Sequence, residues 1–323
     1  MRAEQNNFNS PAPSSNSTTF LISNDKLNLI WMNLWYKNSK PYFSAKESKS
    51  ILHNFFIYGG KGLTINPYNG CQHRCGYCYA TYEWSPEFYD HIYAKINASK
   101  LLMQHIKSWK NAEINPVMIA SATDAYQPAE LKYSITKQCV EVLQRYKIPY
   151  YIFTKSIIIE RDLELHKKYC ENCFIVWSIT TSNENLKRII EPGTPTTKSV
   201  FQVIEKFSKS GIKCVINIDP IMPLMTDTKS DITNILDTAN DIGIKYISGA
   251  ILRIRYDIWE RIKYILGILN KDNYILAYEK IFKFKDPITF KNNLVAEKIY
   301  SDSIMDFLKN EVHKRKMNFG FPY

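Results

Sequence analysis

The chain has 323 residues, 45% of them hydrophobic and 23% charged, a balance suited to a folded protein with a substantial core rather than to a disordered chain. No apolar run is long enough to span a bilayer and the polar N-terminus lacks a signal core, so neither a transmembrane helix nor secretion is expected, and the expected location is cytoplasmic. A formal net charge of +11 admits an anionic partner such as nucleic acid, although the Lys and Arg residues are spread along the chain.

Residues 1–24, dominated by Asn, Ser, Pro and Thr, read as a disordered N-terminal tail. Residues 25–55 form an N-terminal extension whose aromatics (Trp31, Trp35, Tyr36, Tyr42, Phe43) suit equally a helix or strand laid on the main domain or part of a substrate wall. A regular alternation then fills the core at 56–256. A short strand at 62–66 breaks at Pro67-Tyr68-Asn69-Gly70, and 90–110 shows helical spacing of Ile92, Ile96, Leu101, Leu102 and Ile106. Strands follow at 116–121, 150–154, 174–179, 213–218 and 246–254. Between them run helices at 135–146, 160–168, 197–210 (closed by Gly211) and 231–242 (followed by Gly243). Six strands alternating with helices predict an α/β fold, a partial (β/α)6 TIM-like barrel of parallel strands, with its chemistry at the C-terminal strand ends. Residues 257–323 read as a mostly helical C-terminal segment without a motif.

The segment from Asn66 to Ala80 carries Cys71, Cys75 and Cys78 in the spacing C-x3-C-x2-C, directly after the first core strand. Three thiolates on one loop can hold three corners of a [4Fe–4S] cubane and leave the fourth iron open to a small chelating molecule. Gly70 and Gly76 are expected to let the backbone bend around that core.

The competing reading is a structural zinc site, which asks for four ligands in paired spacing. His73 and the Cys170-x2-Cys173 pair are the candidates. Cys173 and Cys214, however, open the fourth and fifth strands and so belong to the bottom rim. Cys139 falls within a helix, and all four outlying cysteines read as small buried hydrophobes.

On these residues the chain resembles the radical S-adenosylmethionine (SAM) superfamily, and within it the group of DNA repair photolyases related to spore photoproduct lyase. The likeness spans roughly residues 56–255. It rests on NPYNGCQHRCGYCYA and, further on, SATDAYQPAE (121–130), FTKS (153–156), WSITT (177–181), EPGTPT (191–196) and INIDPIMPLMTD (216–227). The resemblance implies a [4Fe–4S] cluster and SAM as cofactors, with an external one-electron donor such as flavodoxin or ferredoxin. It also implies reductive cleavage of SAM to a 5′-deoxyadenosyl radical that abstracts hydrogen from a substrate.

The resemblance also suggests roles. Tyr77 looks like the aromatic that packs beside the adenine, and Thr123 and Asp124 follow the second strand where a carboxylate could take the SAM ammonium. Lys155, ending the third strand, suits the SAM carboxylate, Ser178 a ribose contact, and Asn217 and Asp219 the adenosine pocket. Glu191 suits equally a site-facing loop or a plain turn, and Arg253 and Arg255 a substrate anion or local ion pairs.

One departure limits the transfer. Spore photoproduct lyase returns hydrogen from a cysteine at the end of the second strand, but Ile119-Ala-Ser-Ala-Thr-Asp124 holds none here. The O–H bond of Ser121 is too strong for that task, so thymine-dimer reversal by that route is not expected. The substrate stays unidentified. Nucleic acid is a candidate on the charge and on Tyr82, Trp84, Phe88 and Tyr89, aromatics on which bases could stack. The alternative to an enzyme is a zinc- or Fe–S-stapled module that binds nucleic acid or protein without catalysis.

Overall fold

Short runs of β-branched and aromatic residues, separated by amphipathic helices, build one twisted sheet with helices along its outer face. The computed structural model describes residues 41–57, 60–81, 87–108, 116–285 and 293–322. The tail expected at 1–24, and Trp31, Trp35, Tyr36, Tyr82 and Trp84, lie outside the described residues.

Strands β1 (Tyr42–Lys46) and β2 (Leu52–Ile57) precede β3 (Gly60–Ile65), the first strand of the parallel series. A two-residue β4 (Tyr68–Asn69) leads into the cysteine loop, and β5 (His91–Lys95) leaves it. Next come helix α1 (Ala98–Ser108), β6 (Val117–Ile119), α2 (Ala129–Tyr133) and α3 (Ile135–Arg145). After β7 (Tyr150–Thr154) the chain runs through a 3-10 turn (Ile157–Asp162) into α4 (Leu163–Lys167), then β8 (Cys173–Ser178) and α5 (Glu184–Ile190). Helix α6 (Thr197–Lys209), β9 (Lys213–Ile221), α7 (Lys229–Asp241) and β10 (Tyr246–Ile251) complete the series.

The main sheet has the order β13-β10-β9-β8-β7-β6-β3-β2, where β13 is Asn318–Phe319 near the C-terminus. From β3 to β10 every neighbour pair is parallel, β13 joins β10 in parallel, and β2 pairs antiparallel with β3. This is the α/β architecture expected of a partial barrel, with its two extra strands on the outer edges. Strand β2 crosses the boundary placed at residue 56, so the N-terminal extension contributes to the core sheet.

Alternation along the strands sorts their side chains. Ile152, Ile175 and Trp177 point into the main core under the helices, whereas Tyr151, Phe174, Val176 and Val215 cluster on the opposite, inner face. The helices start and stop on local chemistry. The Thr196 and Thr228 hydroxyls accept from the N–H groups of Ser199 and Asp231 at the starts of α6 and α7, and Gly211 and Gly243 take left-handed φ beyond their ends.

Three expectations are corrected. Residues 90–110 are not one helix: β5 alternates buried Ile92 and Ala94 with outward His91 and Tyr93, pairs with β1, and only then gives way to α1, leaving Ile96 48% exposed. The helix expected at 160–168 is a 3-10 turn followed by five residues of α4. The last strand, expected over 246–254, ends at Ile251. Residues Arg253–Ile254 form β11, which pairs antiparallel with β12 (Leu294–Val295) instead.

The C-terminal segment is mainly three helices, α8 (Tyr256–Ile268), α9 (Ile275–Phe282) and α10 (Lys298–Lys314). Trp259, Ile258, Ile262 and Tyr278 share a second core with Cys71, Cys75, Tyr77 and Tyr89. The segment therefore lies over the cysteine loop. Among the described residues no helix is long and apolar enough to cross a membrane.

Candidate cluster and cofactor site

The cysteine loop is held by its backbone before any metal is considered. Cys71 N–H donates to the Phe88 carbonyl at 3.1 Å, Gly76 N–H to Ile190 at 2.8 Å, and the Tyr89 hydroxyl to the Cys75 carbonyl at 2.6 Å. Gly70 has φ +80°, and a Cβ there would stand 2.4 Å from the His91 carbonyl, so that position requires glycine. Gly76 is not left-handed; the second left-handed residue of the loop is Arg74 at φ 53°, whose guanidinium pairs with Asp90.

Cys71 and Cys75 are each 8% exposed and Cys78 is half-buried, and the three thiols lie close enough to interact electrostatically. Burial pushes all three above the usual thiol range. A thiolate-binding metal is the partner that would ionise them.

Every residue considered as a fourth ligand is engaged or distant. His73 Nδ1 lies 3.0 Å from the Gly193 carbonyl oxygen, and Nε2, which makes no hydrogen bond, lies 3.2 Å from Asp124 Oδ2 in an ion-pair contact. Cys173 and Cys214 sit at the starts of β8 and β9, at the opposite end of the sheet, and Cys139 is fully buried on α3. Among the described residues no three His, Cys, Asp or Glu side chains converge on a single-ion site. Three thiols on one loop, without a fourth donor, fit a cubane better than a zinc ion.

The other sequence-derived residues fall into two groups. Lys155 follows Tyr151 and Phe153 along the inner face of β7, while Ser178 pairs in register with Asn217, and Asp219 comes two residues later. Lys155 and Ser178 stand at the ends of their strands, whereas Asn217 and Asp219 lie within β9, which runs on to Ile221 rather than ending at 218; all four line the inner side. Lys155 Nζ is 3.2 Å from Glu191 Oε1, 3.3 Å from Thr180 Oγ1 and 3.4 Å from the Ser178 carbonyl, and it stands 5.5 Å above the Tyr77 ring. Asn217 Nδ2 is 3.4 Å from Asp219 Oδ2.

Thr123 and Asp124 belong to the second group, which braces the loop. The Thr123 hydroxyl donates to the Gly70 carbonyl at 2.6 Å. Asp124, 6% exposed, accepts from Tyr126 N–H, the Thr154 hydroxyl and Lys155 N–H at 2.7–2.8 Å, besides its contact with His73. Burial alone would raise the Asp124 carboxyl, but His73 and the N–H donors outweigh it and hold it below the usual range.

Glu191 faces the site. Its carboxylate, 1% exposed, takes the Tyr77 hydroxyl, Thr180, Lys155 and Lys187, the last at 2.5 Å. Burial disfavours each charge, yet Lys155 and Lys187 outweigh it at Glu191, which stays below the usual carboxylate range, and Lys155 is held above the usual lysine range. Burial pushes Asp219 up. Arg255 is in an ion pair with Asp257 at 2.8 Å, and Arg253 opens β11. Phe88 and Tyr89, expected to offer stacking faces, are 2% and 6% exposed and pack inward because they fill the second core beside the cysteines.

Sequence reasoning missed Arg261 and Gly193. Arg261, on α8, donates to the Gly76 carbonyl at 2.7 Å and to the Cys78 carbonyl at 3.1 Å. Gly193 N–H donates to the His73 carbonyl at 3.0 Å, and a Cβ there would lie 2.1 Å from the Gln72 carbonyl oxygen. The Pro-Gly turn at 192–193 was a signal for the second; nothing local signalled the first.

A family model described as Radical SAM superfamily matches residues 65–239. An uncharacterized protein of Mycobacterium tuberculosis is 28% identical over 184 residues, covering 54% of this chain and 53% of that protein. An uncharacterized protein of Methanocaldococcus jannaschii is 29% identical over 196 residues, 59% of this chain and 72% of that protein. The chain spans about half the length of the mycobacterial relatives it matches. A spore photoproduct lyase mutant with bound AdoMet and dinucleoside spore photoproduct superposes with TM-score 0.69 at 13% identity, over 95% of this chain and 88% of that one. At that identity the likeness is one of fold.

Proposed function

The chain belongs to the radical SAM superfamily, and from that premise we propose that it is an enzyme acting by hydrogen abstraction with a [4Fe–4S] cluster on Cys71, Cys75 and Cys78. The observation that carries the reading is three thiols on one loop, two buried and one half-buried, with His73 held by the Gly193 carbonyl and paired with Asp124, and the other cysteines packed in the main core. When bound, the reduced cluster and SAM together would supply a 5′-deoxyadenosyl radical, the electron coming from an external one-electron donor.

The chain's own residues bind and orient. We assign Lys155 to the SAM carboxylate, since it is the half-buried cation at the end of β7, and Ser178, Asn217 and Asp219 to the adenosine side of the same inner face. Tyr77 offers a ring beside Cys78 whose hydroxyl is tied to Glu191, which fixes its plane. Asp124 and Thr123 act by holding the Lys155 backbone and the Gly70 carbonyl in place. The C-terminal helices that cover the loop exclude water from the thiols.

Anaerobic reconstitution tests the proposal. Wild type should bind iron and sulfide and form 5′-deoxyadenosine from SAM under a strong reductant, and Cys75→Ala should lose that product. Zinc without iron or sulfide would favour the non-catalytic module instead.

For the substrate we infer nucleic acid, on the net charge of +11 and on the fold shared with spore photoproduct lyase, one structure of which is complexed with dinucleoside spore photoproduct. The chemistry would differ from thymine-dimer reversal by a cysteine donor. Ser121 stands at the end of the second core strand, and its hydroxyl accepts from Asn66 Nδ2 at 3.0 Å. Salt-dependent binding of labelled single-stranded DNA or RNA is expected; absent or salt-insensitive binding would remove nucleic acid.

A further inference from the structure

A buried cation reaches the cysteine loop from the far end of the chain. Arg261 on α8 is 5% exposed, and the neighbouring Ile258, Ile262 and Ile265 are buried with it, so its guanidinium has lost water and must be satisfied by protein. Its Nε donates to the Gly76 carbonyl at 2.7 Å, and Nη2 reaches the Cys78 carbonyl at 3.1 Å, Thr81 Oγ1 at 3.0 Å and Asp257 Oδ2 at 3.2 Å. The Thr81 hydroxyl closes the ring: its one proton is donated to Asp257 at 2.6 Å, and its oxygen also lies 3.0 Å from the Cys78 carbonyl. Asp257 is shared, because Arg255 Nε also holds it at 2.8 Å. Asp257 is thus divided between two guanidiniums, and Arg261 presses its charge against the Gly76 and Cys78 carbonyls.

We propose that Arg261 is a positioning residue that clamps the Gly76–Cys78 peptides and, by its buried charge, raises the reduction potential of the cluster held there, with Asp257 opposing it. This rests on the cluster reading above. A reduced cluster carries one more negative charge than an oxidised one, and a fixed cation nearby in a poorly hydrated environment favours the reduced form. No other element of the described structure supplies a side-chain donor to both the Gly76 and the Cys78 carbonyl.

Wild type, Arg261→Lys, Arg261→Gln and Asp257→Asn would be reconstituted anaerobically, assayed for iron and sulfide, and titrated with dithionite and redox mediators while the visible and EPR spectra are followed. Arg261→Gln should shift the reduced-to-oxidised ratio at a given potential about tenfold against the reduced form, about 59 mV for a one-electron couple. Arg261→Lys should stay near wild type, because it keeps the charge, and Asp257→Asn should move in the opposite direction to Arg261→Gln. Equal shifts in the Lys and Gln variants would reduce Arg261 to a structural prop, and an unmoved midpoint in a loaded Arg261→Gln protein would overturn the proposal. Should that variant take up no cluster, Asp257→Asn decides: a midpoint unchanged or lowered there overturns it. A wild type devoid of iron and sulfide sinks the cluster reading as well, so the two failures are told apart.

Discussion

Gly193 shows how much of the site hangs on single atoms. It lies more than a hundred residues beyond the cysteines, yet its N–H and carbonyl both grip His73, and the space for a side chain is already filled by the Gln72 carbonyl. Gly193→Ala should therefore force the loop and the turn apart at a cost of about 1–3 kcal/mol, as overpacked positions do. The expected outcome is a lower melting temperature together with reduced iron uptake on reconstitution, and a variant matching wild type in both would show that the loop yields freely. The cysteines themselves were legible in sequence because their spacing is local. Gly193 was visible only as a turn, since what it touches is remote in the chain.

At the scale of elements, the edges of the sheet carry the instructive cases. Strand β13 has two residues, pairs with β10, and delivers Phe321 to the inner face, where it meets Phe153 and Phe174 with ring centroids 6.3 and 6.2 Å apart. Ending the chain at Lys316 would uncover the β10 edge and that apolar face. The expected result is a lower melting temperature and aggregation on size-exclusion chromatography, because an exposed strand edge templates further pairing. A truncated protein that remained monomeric and equally stable would contradict this. Such short strands have no periodicity to detect. Strand β5 does alternate, but the helical spacing of Ile92, Ile96 and Leu101 concealed it, since helix and strand patterns overlap over a few residues and the pairing with β1 decided between them.

Across the whole molecule, stability should depend on pH through His166. This side chain is fully buried, with Tyr126 Oη 2.9 Å from Nε2 and Tyr150 Oη 3.0 Å from Nδ1, so it bridges the second core strand's loop, β7 and α4. Burial lowers its pKa from 6.5 to about 4. The native state keeps the imidazole neutral while the unfolded chain protonates it near 6.5. The stability it contributes is therefore fully present above that pH and is lost as pH falls toward 4, by about 3 kcal/mol. Urea unfolding at pH 7 and pH 4.5 should show a steeper loss for wild type than for His166→Gln, and equal losses would exclude His166 as the source.

The alternation of strands and helices, the thiol spacing and the placement of Lys155 and Ser178 at strand ends could all be read from the chain itself. These signals lie within a few residues of one another, where backbone periodicity and turn chemistry operate. Which side chains meet was decided only by the tertiary structure. Glu191 joins Tyr77 and Lys155, His73 is taken by Asp124 and Gly193, and Arg261 reaches back 183 residues to the Cys78 carbonyl. Contacts of that range arise from how the sheet curls and where the last helices settle on it. They are satisfied because buried charges and backbone carbonyls must find partners, and no local pattern records which partner that will be.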